Sequence, residues 1–174
     1  MIKCFSIAIL AFALLSGLTG AKAQVLWNKT NFGMTANDVK GVVPYAVPCS
    51  EAGNRLANGA VALLCKPNVL INHELFKAQF YFNGRGLIQV TLSLEGKHDF
   101  HNVRLIFDGI ADALRSKYGR ELSLKYQSGL LNEAIGEWVS GRTNINLLGF
   151  SVANAPATLN VNYQVRLAED ADKL

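Results

Sequence analysis

The clearest hydrophobic pattern in the chain is an alternation of apolar and polar residues on both sides of the glycine-rich segment Asn83-Gly84-Arg85-Gly86. Alternate side chains of a strand point to opposite faces, so this period of two predicts a β-hairpin with strands over residues 75–82 and 87–94. Its apolar positions are Ala78, Phe80, Phe82, Ile88, Val90, Leu92 and Leu94, and Gln89, Thr91 and Ser93 lie opposite. The same period predicts strands at 133–140, 143–148 and 158–167, the last with Asn160, Asn162 and Gln164 on its polar side, and a continuous apolar run predicts a buried strand at 60–65.

Apolar residues recur at steps of three and four between Asp99 and Gly119, which predicts an amphipathic helix. Asp99 or Asn102 can cap its start, and Gly119 suits the left-handed conformation that ends many helices. A shorter helix is predicted after Thr35, because Thr35 and Asp38 have the spacing of a capping box.

These elements predict an α+β fold in which an antiparallel sheet of about six strands carries two helices on one face. Their order suggests α-β-β-β units in tandem. We expect one domain over residues 24–167 and a polar tail over 168–174. The opposite face of the sheet, rich in Asn and Gln, is then free to meet water or a partner.

The first residues have the anatomy of an export signal. Lys3 precedes an apolar run from Phe5 to Leu18, and small residues follow it, which predicts a cleaved signal peptide at 1–23. The product is then periplasmic or secreted. Cys4 precedes the apolar run instead of following it, so no lipid anchor is expected. No later stretch approaches the roughly 20 apolar residues that cross a bilayer, so no membrane span is expected either.

Cys49 and Cys65 are the two cysteines that follow this signal. In an exported chain such a pair is expected to form a disulfide that acts as a structural staple. Redox activity would favour Cys-x-x-Cys spacing, which the pair lacks.

The distribution of charge and the lack of known catalytic motifs argue against nucleic-acid binding and against several types of enzyme. The formal net charge is +4, and the basic residues are scattered singly, which argues against a nucleic-acid binder. The chain has neither a Gly-x-Ser-x-Gly elbow nor a phosphate-binding glycine loop. Glu133 and Glu137 lie on one side of a predicted strand, about 13 Å apart, which is too far for the carboxylate pair of a glycosidase. No catalytic residue and no cofactor are therefore predicted.

One segment has residue types that bind metals. His98, Asp99 and His101 could contribute to a Zn²⁺ site, which needs at least three well-placed ligands. The competing interpretation is a solvated turn between strand and helix, with Asp99 as the helix cap.

Three segments resemble parts of small exported bacterial proteins, a group that includes the BamE lipoproteins and the tandem folds similar to β-lactamase inhibitor protein. These segments are Phe32-Gly33-Met34-Thr35 with Asp38-Val39, the hairpin from Phe80 to Ile88, and Leu114 to Gly119 before Trp138. The chain departs from these groups by lacking a lipidated cysteine and by having one expected disulfide instead of two. The resemblance implies protein binding through a sheet face or its loops.

Two functional hypotheses follow. The first is an exported, non-enzymatic protein-binding module, such as an inhibitor, an immunity-like protein or an envelope assembly factor, whose partner is another protein. The alternative is a metal-dependent hydrolase or metal carrier that uses His98, Asp99 and His101.

Overall fold

The fold is a single antiparallel sheet of eight strands with two helices, seen in a computed structural model that describes residues 24–50, 54–153 and 155–166. The helices are α1 (Ala36–Val42) and α2 (Phe100–Tyr118). The strands are β1 (Val47–Pro48), β2 (Val61–Ile71), β3 (Glu74–Asn83), β4 (Gly86–Leu94), β5 (Ser123–Gln127), β6 (Leu131–Ser140), β7 (Thr143–Val152) and β8 (Thr158–Val165). Along the chain, α1 precedes β1 to β4, and α2 precedes β5 to β8.

The strand order across the sheet is β1-β2-β3-β4-β8-β7-β6-β5. Every pairing but one joins strands that are consecutive in the sequence, as expected for hairpins and short connections. The exception is the central pair β4 and β8, in which Thr91 lies opposite Asn162.

The predicted α+β fold with about six strands in α-β-β-β units is wrong, because the structure is mostly sheet. The sheet has eight strands instead of about six, and strands take up 50% of the structure against 19% for helices. The three-strand unit is also wrong, because each helix precedes four strands. The missed strands are β1, which has two exposed residues, and β5, whose side chains are half-buried or exposed. Neither strand buries a face, so neither shows the alternation or the apolar run from which the other six strands were predicted.

The local predictions for the hairpin and the helix caps are confirmed. Strands β3 and β4 form the hairpin around Gly84 and Arg85. The Thr35 side chain accepts a hydrogen bond from the Asp38 backbone N–H and completes a capping box. Asp99 caps α2, and Gly119 ends it with a φ of 85°.

The main apolar core lies between α2 and one side of the sheet. Val103 and Phe107 of α2 are fully buried, and α2 packs against β6, β7 and β8. The Phe107 ring meets Tyr126 of β5 edge-on, with 5.8 Å between ring centroids. Trp138 of β6 is buried as well and donates its indole N–H to the carbonyl oxygen of Gly119, 3.1 Å away. Alternate residues of the strands therefore point away from α2.

The predicted disulfide is present between Cys49 and Cys65, where it joins the segment after β1 to β2. A disulfide is compatible with an oxidising, exported location. The predicted signal peptide at 1–23 and the predicted tail at 168–174 lie outside the described residues. Neither of the two described helices is both long enough and apolar enough to cross a bilayer.

Candidate binding surface

The side of the sheet that faces away from α2 carries rows of amide side chains, and we call it the amide face. Its uncharged polar residues include Gln79, Gln89, Thr91, Ser93, Asn144, Asn146, Asn160, Asn162 and Gln164, and Lys77 lies on the same side of β3. The strand register places Gln79, Thr91, Asn162 and Asn146 directly opposite one another on four neighbouring strands. This row exists only because β4, from the middle of the described chain, pairs with β8, its last described strand.

Part of the amide face is satisfied internally. The Gln89 side-chain N–H donates to the Thr91 hydroxyl oxygen at 3.0 Å, and the Thr91 hydroxyl donates to the side-chain oxygen of Asn162 at 2.8 Å. Gln89 and Thr91 are buried, so this chain of bonds holds the centre of the sheet in one arrangement.

The other amides of this face make no side-chain hydrogen bond within the described residues. They are Gln79, Asn144, Asn146, Asn160 and Gln164. Each primary amide offers two donors and an acceptor oxygen. A peptide backbone offers the same two types of group. The face therefore has a large unused capacity for binding another protein chain or ordered water.

An apolar band borders these amides. It consists of Ile135, Leu148 and Phe150, which are half-buried and lie on the same side of β6 and β7. Ile135 and Leu148 are direct cross-strand partners. Partly exposed apolar and aromatic residues surrounded by polar ones are typical of protein interfaces. The amide face can therefore combine apolar burial with directional hydrogen bonds.

The carboxylates singled out in the sequence lie on the same side of β6. Glu133 is opposite Phe150, and Glu137 is opposite Asn146 in the amide row. The Glu137 carboxylate accepts a hydrogen bond of 2.7 Å from the hydroxyl of Ser123 on β5. Both carboxylates therefore lie at the border of the amide face.

The three candidate metal ligands lie at the start of α2, and two of them have other contacts. Nε2 of His98 lies 3.0 Å from the carbonyl oxygen of Glu95. The Asp99 carboxylate accepts hydrogen bonds from the backbone and side-chain N–H groups of Asn102 at 2.8 and 3.1 Å. His101 is exposed on the helix. Within the described parts of the chain, no three His, Cys, Asp or Glu side chains are arranged to hold a metal ion.

A shallow cleft of about 530 Å³ adjoins these residues. It is lined by residues 97–100 on one side and by the end of β7 on the other, where Ser151 is buried. The Ser151 hydroxyl accepts a hydrogen bond of 3.3 Å from the Asn132 side chain. The cleft thus places His98 and Asp99 beside a serine that already has a polar partner.

The sequence predicted the amide-rich side of β8 but missed Gln79 and Phe150. The residues of β8 alternate regularly, so their polar side was visible. Gln79 stands among apolar residues in β3, and Phe150 looks like a core residue. Only the register showed that both belong to the amide face.

The strand register thus assembles, among the described residues, a polar surface that spans four neighbouring strands. Comparison of the chain with protein-family models, with curated proteins and with solved structures finds no match.

Proposed function

We propose that this chain is an exported, non-enzymatic protein-binding module that holds its partner on the amide face. The observation that carries the proposal is the set of unpaired amides beside the apolar band of Ile135, Leu148 and Phe150. The setting is the periplasm or the extracellular medium, as the N-terminal sequence and the disulfide between Cys49 and Cys65 indicate.

The chemistry of this face favours a protein over a charged polymer. The central row from Gln79 to Asn146 is uncharged, and the charged residues beside it, Lys77, Glu133 and Glu137, have both signs, so the face lacks the cluster of positive charge that binds phosphates. Neutral amides pair well with the N–H and C=O groups of a peptide. The resemblance to small exported bacterial proteins implies the same mode of action, as an inhibitor, an immunity-like protein or an envelope assembly factor.

The test is capture of a partner by matched variants of the mature chain, purified and cross-linked to proteins of its own envelope or culture fluid. Leu148→Asp places a charge in the apolar band, and Leu105→Asp places the same charge on α2, where Leu105 is 59% exposed. We expect Leu148→Asp to weaken capture of a stoichiometric partner by about 30-fold or more, as at an interface hot spot. Leu105→Asp should leave capture unchanged.

Two results would remove the proposal. The first is equal capture by both variants, because the partner would then not contact the apolar band. The second is the absence of any stoichiometric protein partner under mild conditions. Circular dichroism and thermal melting of both variants establish that each is folded, so that loss of capture reports on the surface.

The alternative is a metal-dependent hydrolase or metal carrier that uses His98, Asp99 and His101. One observation favours it, namely that His98 and Asp99 line the cleft of about 530 Å³. Metal binding by Asp99 would compete with its capping of α2. Elemental analysis of untagged protein and zinc titration distinguish the two functions.

A further inference from the structure

Gln24 ties the start of the described chain to the turn between β6 and β7. Its side-chain amide donates hydrogen bonds to the carbonyl oxygen of Arg142 and, at 3.2 Å, to the hydroxyl oxygen of Thr143. The Thr143 hydroxyl donates in turn to the carbonyl oxygen of Val25 at 2.7 Å, and Thr143 is only 2% exposed. We call these three hydrogen bonds between Gln24, Val25, Arg142 and Thr143 the N-terminal clamp.

Backbone hydrogen bonds hold both sides of the N-terminal clamp. The Phe32 N–H donates to the carbonyl oxygen of Gln24 at 2.8 Å. The carbonyl oxygen of Arg142 also accepts a hydrogen bond of 2.8 Å from the backbone N–H of Arg166, which follows β8. The Gln24 side chain therefore bridges two backbone segments that are each fixed by the fold.

The position of Gln24 directly after the predicted export signal gives this clamp a chemical consequence. Cleavage after Ala23 makes Gln24 the N-terminal residue, and an N-terminal glutamine can cyclise to pyroglutamate. In that reaction the α-amino nitrogen bonds to Cδ, the bond from Cδ to Nε2 breaks, and Nε2 leaves as ammonia with a proton from the amine. The product lacks the N–H groups that donate to Arg142 and Thr143. Pyroglutamate and the N-terminal clamp therefore exclude each other.

We propose that Gln24 is the N-terminal residue of the exported protein and that the N-terminal clamp protects it from conversion to pyroglutamate. The side chain has to leave its two acceptors and fold back onto the α-amino group before it can react. Cyclisation therefore occurs only in molecules in which this segment has opened locally. The inference rests on the export that is part of the proposed function, and it does not depend on the partner.

The surroundings of the clamp also lack a group that would promote the reaction. A cleft of about 340 Å³ adjoins the clamp, lined by Gln24, Val25, Ser140, Gly141, Arg142 and Thr143. Attack by the amine is assisted by a general base, usually an imidazole or a carboxylate. Neither is among the described lining residues, so the folded protein does not compensate for the hydrogen bonds that must be broken.

The test follows the mass of the protein after export of the full chain by a bacterial host. Intact mass and N-terminal fragmentation identify the first residue, and cyclisation appears as the loss of one molecule of ammonia. The rate of this loss is compared in native buffer and in guanidinium chloride at a concentration that unfolds the protein. We expect the native protein to cyclise at least about tenfold more slowly, because breaking two hydrogen bonds makes the open state about that much rarer.

A pair of matched variants tests whether the clamp itself is responsible. Thr143→Val keeps the shape of the side chain but removes the hydroxyl that takes part in two of the three hydrogen bonds. It should cyclise about fivefold faster than the wild-type protein in native buffer, the effect of one net hydrogen bond. Thr158→Val is the control, because Thr158 is exposed at the start of β8 and its hydroxyl makes no hydrogen bond among the described residues. Its rate should equal that of the wild-type protein.

Three results would overturn the proposal. They are a mature chain that does not begin at Gln24, a chain that is already pyroglutamate when purified, and equal rates of cyclisation in native buffer and in guanidinium chloride. Equal rates for the two folded variants would remove the N-terminal clamp as the cause of protection. If Thr143→Val does not fold, the comparison of native and unfolded wild-type protein decides.

The proposed function has a separate outcome. A protein that captures its partner through Leu148 but cyclises freely would remain a binding module and would lose only the protective clamp. A protected Gln24 in a protein without any partner would have the opposite meaning.

Discussion

We expect the substitution of Gly86 by alanine, which adds a single methyl group, to lower the stability of the fold. It begins β4 with a φ of +90°, and a Cβ atom there would lie 2.7 Å from the carbonyl carbon of Gly33 and 2.9 Å from the carbonyl oxygen of Met34. Two backbone hydrogen bonds hold these segments together. The Gly33 N–H donates to the Leu87 oxygen at 2.9 Å, and the Leu87 N–H donates to the Met34 oxygen at 2.8 Å.

The change Gly86→Ala should therefore act in two ways. An L-residue with this positive φ costs about 1 to 2 kcal/mol. The added methyl group meets backbone and not a flexible side chain, so the N-terminal segment must move and weaken both hydrogen bonds, each worth about 0.5 to 1.5 kcal/mol. We expect the free energy of unfolding to fall by about 2 to 5 kcal/mol in total.

Urea unfolding followed by tryptophan fluorescence measures this loss, and Gly84→Ala is the matched control in the same turn. A Cβ at Gly84 meets no heavy atom within 4 Å, so its substitution should change stability by no more than about 0.5 kcal/mol. If the two variants unfold at the same urea concentration, the close approach of the N-terminal segment to β4 does not stabilise the fold, and the reasoning fails.

Three further predictions concern the disulfide, an ion pair and the start of α2. Replacing Cys49 and Cys65 by alanine should lower stability by about 3 kcal/mol, seen as a lower urea midpoint, since the bond closes a loop with a sequence separation of 16; an unchanged midpoint would contradict this. Arg115 lowers the pKa of Glu121 from 4.5 to about 2, mainly through a hydrogen bond from its guanidinium group. A carboxyl group with a lowered pKa stabilises the fold above its unfolded pKa, so this contribution should fade as the pH drops from 4.5 to about 2, and Glu121→Gln should remove that part of the pH dependence of unfolding. Asp99→Ala should cost about 1 kcal/mol as a lost helix cap, and zinc should not raise the melting temperature of the wild-type protein; a zinc-dependent rise that Asp99→Ala abolishes would favour the metal hypothesis.

The features predicted correctly from the sequence depend on short-range chemistry. The capping box at Thr35, the cap at Asp99 and the exit at Gly119 each involve residues within a few positions of one another. The β3–β4 hairpin combines regular alternation with a glycine-rich turn. In each case the conformation that these residues prefer locally is the one they have in the fold. Such features can therefore be predicted from a single sequence.

The remaining features depend on contacts between distant parts of the chain. Strand β2 extends to Ile71, well beyond the predicted 60–65, because two irregularities in its pairing with β3 interrupt the period of two. Strand β5 is held by pairing with β6 and has no buried face of its own. The amide row needs Thr91 and Asn162 side by side, and nothing local specifies that pair.

The central position of β8 in the sheet has a consequence for the order in which the chain folds. The chain is synthesised from its N-terminus, so β3 and β4 can form their hairpin before β8 has been made. Until then one edge of β4 offers unpaired N–H and C=O groups to any other strand nearby, which is a known route to aggregation. Because β8 follows the other seven described strands in the sequence, this edge of β4 stays unpaired until β8 has been synthesised, and folding of the sheet should be most prone to aggregation in that interval.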